Sequence, residues 1–197
     1  MNTQHNLILF TSEAFFEKES IILNEMLGMD TDFRLHFRKP NTSLEAQIKL
    51  LSAIQPEFLH RITVHQHQEA LSLQFGVNCH QKEHERLEQK QMNKLVSSSF
   101  HHVPTPIEIA PYAYFFCSPV FSSISKQNYS PTFSWDITNE NETFKHKAVA
   151  LGGISMETLQ ASKQKGFRAI AVMGSVWQIE QPITYLKQIL DSWTNIV

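Results

Sequence analysis

Cysteine is scarce in this chain. There are two in 197 residues, Cys79 and Cys117, and they form no CxxC pair. A disulfide framework is therefore not expected, and the two read as reduced thiols of a cytosolic protein. Strong charge of either sign is missing too. Lys and Arg number 17 against 19 Asp and Glu, a formal net charge of −2. Nothing in that balance points to nucleic acid or an acidic membrane as partner. No apolar run approaches the ~20 residues that span a bilayer. No basic segment followed by an apolar one opens the chain, so a secretory leader is not expected and a cytoplasmic location is.

What is present is the composition of an ordinary globular protein, 42% hydrophobic and 18% charged. The length suffices for one substantial core, and no boundary or internal repeat divides the chain, so residues 1–197 read as a single domain. Short apolar strands alternate with helix-like spacers. Leu7–Thr11, Phe33–Lys39, Arg61–His65, Phe75–Cys79, Lys94–Phe100, Tyr112–Cys117, Lys147–Leu151 and Phe167–Met173 read as eight strands. Helices are expected over Glu17–Met29, from the Thr42-Ser43 cap to Ile54, over Glu69–Gln74, over Lys82–Met92, from the Ser155 cap to Lys165, and over Gln181–Trp193. Residues 122–146 read as a long polar loop. Eight βα repeats favour an α/β fold of the (β/α)8 barrel type, with a doubly wound open sheet as the alternative. Because ~250 residues is usual for such a barrel, its helices should be trimmed and one or two missing.

Three strands end in small or hydroxyl residues. The run Phe115 to Phe121 leads into the hydroxyl-rich loop Ser122 to Lys126, the next strand ends in Gly152-Gly153-Ile154, and the last ends in Gly174-Ser175. Glycines let backbone N–H groups approach a phosphate, which suits an anion site on the C-terminal face of a parallel barrel. Arg38 shares the polar side of its strand with His36 and reads as a mouth residue.

The segments Ser99-Phe100-His101, Ser118-Pro119-Val120-Phe121 through Lys126, Ala150-Leu151-Gly152-Gly153-Ile154 and Met173-Gly174-Ser175 resemble the motifs of the thiamine phosphate synthase and thiazole tautomerase (TenI-like) family. His36-Phe37-Arg38 is similar to its glutamine–any–arginine strand. Pro40 stands where the family has lysine, and Lys39 is the neighbouring substitute. The resemblance covers most of the chain and is strongest from Ser99 to Val176. It implies condensation of hydroxymethylpyrimidine diphosphate with thiazole phosphate, with release of diphosphate. Arg38, Ser99, Lys126 and His101 would be catalytic. His36, Lys39 and Ser122, with the backbone of Gly152, Gly153, Gly174 and Ser175, would bind substrate. The alternative implied is a TenI-like paralogue with a changed role, binding thiazole phosphate as an isomerase or as a non-catalytic regulator. A homodimer is compatible with either.

The resemblance also implies Mg²⁺ held by aspartates after strands three and four. Those positions read His65-Gln66 and His80-Gln81-Lys82-Glu83 here, with Glu83 the nearest carboxylate. A hard ion needs oxygen ligands, so that site looks lost. The tautomerase histidine is replaced by Pro119. His36, His65, His80 and His101 fall near the ends of strands two to five. Such imidazoles could hold another divalent metal of the Zn²⁺ type, with His65 and His80 as first candidates, or be merely solvated and hydrogen-bonded.

Overall fold

The computed structural model describes residues 6–30, 33–82, 95–122 and 133–196. Eight parallel strands close in sequence order into one barrel. The elements are β1 Leu7–Phe10, α1 Glu19–Leu27, β2 Phe33–Phe37, α2 Leu44–Ser52, β3 Ile62–Val64, α3 Gln68–Phe75, β4 Asn78–Gln81 and β5 Leu95–Phe100. They continue with α4 Pro106–Ile109, β6 Tyr114–Cys117, α5 Glu142–Lys147, β7 Ala148–Leu151, α6 Leu159–Gln164, β8 Ala169–Val172, α7 Gly174–Trp177 and α8 Pro182–Asn195. The closing pair sets Leu7 against Ile170 and Leu9 against Val172. The (β/α)8 reading is therefore correct, and the open sheet is excluded by closure.

The strand pleat sorts the core into two layers. Leu7 and Leu9 of β1 join the large cluster between strands and helices, whereas Ile8 and Phe10 face the lumen beside Phe116, Val149 and Ala171. The helical layer is built from local signals. The Ser43 hydroxyl accepts the Ala46 N–H at 3.2 Å and starts α2. Pro182 lies in the first turn of α8, whose buried Leu186, Ile189, Leu190 and Trp193 follow the 3.6-residue period. Burying each such side chain stabilises the fold by about 1.5–3 kcal/mol, so Leu186→Asp would strip α8 from the barrel.

The helices are short, as the length implied: α4 and α7 have four residues each and α5 and α6 have six. Two expectations need correction. Phe75 ends α3 rather than opening a strand, because Gly76 takes a left-handed conformation with φ 69° and caps that helix. Strand β4 thus lies at Asn78–Gln81, and Lys82 follows it directly. The long loop is also not wholly irregular. Asn141 accepts the Phe144 N–H at 2.9 Å and starts α5 within it. The remainder of the expected Lys82–Met92 helix, and Lys126, lie outside the described residues.

Candidate functional site

The sequence places candidate residues at the C-terminal ends of strands two to eight, and a cavity of about 520 Å³ opens there. Arg38 after β2, His65 after β3, Lys82 after β4, His101 after β5, Ser118 after β6 and Gly152 after β7 all line it.

The floor is polar on one side. Fully buried His36 places Nδ1 2.8 Å from Nε2 of His65 and Nε2 2.7 Å from the Tyr114 hydroxyl. The rings of His65 and His80 stack at 4.2 Å. Ser97 Oγ lies 2.9 Å from His80 Nδ1, and Ser99 Oγ lies 3.3 Å from His80 Nε2. A bulge makes this possible. Cys79 pairs with Leu95 but His80 pairs with Ser97, so one extra residue on β5 turns both serines toward His80. Burial is the largest influence on His36 and His65 and pulls both pKa values well below the ordinary imidazole value. Neighbouring His80 and cations add to it. Both rings are therefore neutral at pH 7. Burial raises the pKa of Tyr114, which keeps its proton.

The wall over β6 and β7 is set by backbone contact. Val120 N–H donates to the Leu151 carbonyl at 2.9 Å and Phe121 N–H to that of Gly152 at 3.1 Å. A Cβ on Gly152 would lie 2.8 Å from Pro119 Cβ, and one on Gly153 would lie 2.5 Å from the Ser122 carbonyl oxygen. With φ of 95° and 65° besides, these positions require glycine for the close approach alone. Ser175 ties this turn to the last one, its hydroxyl donating to the Ile154 carbonyl at 2.8 Å.

Among the described residues, the cationic side chains of Arg38 and Lys82 line the cavity with the carboxylate of Glu13. Arg38 Nη1 is hydrogen-bonded to Glu13 Oε1, and both residues are partly exposed. His101 Nδ1 donates to the Ser118 carbonyl at 2.6 Å, which fixes the tautomer and leaves Nε2 as the acceptor in the neutral ring.

The cavity thus gathers Arg38, Ser99, His101, His65, His80, Gly152, Gly153, Gly174 and Ser175. Three expected substrate contacts lie elsewhere. Lys39 is fully buried, with Nζ 2.6 Å from Glu19 Oε1 and 2.9 Å from the Ala14 carbonyl, so it fastens the β1–α1 connection and does not reach the mouth. His36 lies beneath the cavity, sealed by Phe10 and Phe116. Ser122 is exposed and does not line the cavity. Lys82 and Glu13 were missed as mouth residues. A cap at Gly76 was the sequence signal that would have moved β4 and exposed the place of Lys82.

Among solved structures the chain is similar to the thiamine phosphate pyrophosphorylase of Bacteroides thetaiotaomicron. The TM-score is 0.70 and identity 25%, over 96% of this chain and 98% of that one. The chain has a thiamine phosphate pyrophosphorylase-like fold. A second such protein, from Pyrococcus furiosus, gives a TM-score of 0.70 at 13% identity over 100% and 98% of the two chains. The 3-hexulose-6-phosphate synthase of Salmonella typhimurium gives 0.56 at 12%, over 96% and 99%, which reports the barrel alone. No family model and no curated protein matches the chain.

The residues present do not fit the Mg²⁺ that the resemblance implies. Such an ion takes an octahedron of oxygens, usually with one or two carboxylates. Among the described residues Glu13 is the one carboxylate lining the cavity, and it is engaged by Arg38. Glu83 lies outside the described residues.

Proposed function

We propose that this barrel is a thiamine phosphate synthase-like transferase acting in thiamine biosynthesis. It would join hydroxymethylpyrimidine diphosphate to thiazole phosphate. The observation that supports this most is the cavity itself: two cations, two glycine-containing turns and an oriented imidazole at the mouth of a barrel similar to thiamine phosphate pyrophosphorylases, an alternative name for the synthase.

The reaction breaks the bond between the pyrimidine methylene carbon and the diphosphate oxygen. The electron pair leaves with the diphosphate, and the thiazole nitrogen donates its lone pair to form the new C–N bond. The protein's task is to stabilise the departing charge and to hold the two rings together away from water. Arg38 and Lys82 carry the positive charge for the diphosphate, with Ser99 as a neutral donor. The turns at Gly152-Gly153 and Gly174-Ser175 receive the thiazole phosphate through backbone amides. Glu13 competes with diphosphate for Arg38, so substrate binding requires that pair to open. His101 Nε2 is placed to accept a hydrogen bond from substrate.

The absence of an oxygen ligand set for Mg²⁺ among the described residues favours a second reading, a TenI-like paralogue that binds thiazole phosphate without condensing it. Product detection separates the two. Purified protein given both precursors, with Mg²⁺, Mn²⁺ or Zn²⁺ in parallel, yields thiamine phosphate under the first reading, read as fluorescent thiochrome after oxidation. Folded protein that binds thiazole phosphate and forms no product under any metal supports the second.

A further inference from the structure

His36, His65 and His80 come from three successive strands and converge in the lumen, only 0%, 6% and 3% exposed. One ring nitrogen of each lies within 4.8 Å of the other two. We propose that these three imidazoles form a binding site for a borderline divalent transition metal, Zn²⁺ or a close chemical relative, with a fourth coordination position open to the cavity. The proposal stands on the cluster and does not depend on the reaction proposed above.

The donor set selects the ion. Three neutral imidazoles suit Zn²⁺, Co²⁺, Ni²⁺ or Cu²⁺ and are poor ligands for Mg²⁺. Two of the three have outer partners in place. Tyr114 engages His36 Nε2, which directs Nδ1 toward His65, and Ser97 engages His80 Nδ1, leaving His80 Nε2 as the ligand atom, which a metal would draw from its 3.3 Å contact with Ser99 Oγ. Metal-ligating histidines are oriented in this way by a hydrogen bond at the other ring nitrogen.

The contact between His36 Nδ1 and His65 Nε2, at 2.8 Å, needs one proton between two nitrogens. A metal ion would replace that proton and part the nitrogens to about 3.3 Å, the separation of two ligands at ~2.05 Å in a tetrahedron. His36 is sealed from solvent, but His65, His80 and Ser99 line the cavity. The ion would therefore keep one face toward water or a bound ligand, the arrangement of catalytic rather than structural zinc. His101 takes no part, since it is not among the three histidines whose ring nitrogens converge.

The test uses full-length protein stripped with chelator and titrated with Co²⁺ and Zn²⁺. The expected result is one metal per chain by elemental analysis, a four-coordinate Co²⁺ visible spectrum abolished by Zn²⁺, and no competition from excess Mg²⁺. Tyr114→Phe should weaken Zn²⁺ binding by about 10–100-fold, and His65→Asn or His80→Gln by more. If those variants do not fold, X-ray absorption of the wild-type Co²⁺ form decides, with three imidazole nitrogens expected. Failure of folded wild-type protein to bind either metal would overturn the site. So would unchanged affinity in the folded histidine variants, fewer than three imidazole ligands, or displacement by Mg²⁺.

Discussion

Lys39 Nζ stands 2.6 Å from Glu19 Oε1, with both side chains almost completely removed from water. Burial raises the pKa of Glu19 and lowers that of Lys39, and the ion pair opposes both changes. Each charge therefore depends on the other. Glu19→Ala strands a buried ammonium and should cost about 3–5 kcal/mol. The double substitution Glu19→Leu with Lys39→Met removes both charges and should recover most of that loss. Urea denaturation of the two variants checks this. An equal loss in both would mean that packing, and not charge, carries the effect.

Stability of the metal-free protein should fall as pH drops below about 6.5. His36 and His65 have folded pKa values well below the unfolded value of ~6.5. Above that pH neither state binds the protons, so these groups give no slope. Below it the unfolded chain takes up protons that the folded chain refuses, and stability drops by up to about 2.7 kcal/mol per pH unit for the two together. The groups facing them push the same way: His80 and Arg34 on His36, and His80, His36, Arg38 and Lys82 on His65. The depressed carboxylates Glu108, Asp136, Glu142 and Glu157 act only near and below their ordinary range of about 4–4.5, outside this window. Urea midpoints at pH 7.5 and 5.5 with chelator present decide the matter, and a flat profile would contradict it.

Gly153→Ala should destabilise the fold by about 2 kcal/mol or more. The new Cβ would meet the Ser122 carbonyl oxygen at 2.5 Å, in a left-handed conformation that alone costs about 1–2 kcal/mol. Thermal unfolding measures the loss. A melting temperature unchanged by the substitution would mean that the turn relaxes freely.

Glu13→Gln should tighten diphosphate binding by up to about fivefold, because it releases Arg38 from an exposed ion pair worth about 0.2–1 kcal/mol. Arg38→Ala should weaken the same binding. Isothermal titration with inorganic diphosphate reads both, and weaker binding in Glu13→Gln would mean that Glu13 orients Arg38 instead of occupying it.

The barrel was legible because its signals are local. Five of the eight strands, β1, β3, β6, β7 and β8, are apolar or β-branched runs, and helix caps such as Ser43 act within three residues. The fourth strand was misplaced because Phe75 is apolar in a helix end as well as in a strand, and only the conformation of Gly76 separates the two. The site was legible at its strand ends, where Arg38, His65, His80 and His101 follow the barrel's geometry. The fate of Lys39 was not, since it depends on Glu19, twenty positions earlier. Nor was the separation of His101 from the other three histidines: it lies past the end of β5, where its Nδ1 donates to the Ser118 carbonyl.

The most direct test of the proposed synthase reading compares wild-type protein with Arg38→Ala in the thiochrome assay, with both precursors and Zn²⁺, Mn²⁺ or Mg²⁺ supplied separately. The account predicts thiamine phosphate from the wild type and a rate lower by about 100-fold or more without the Arg38 guanidinium. No product from folded wild-type protein under any metal, or equal rates in the two proteins, would contradict it.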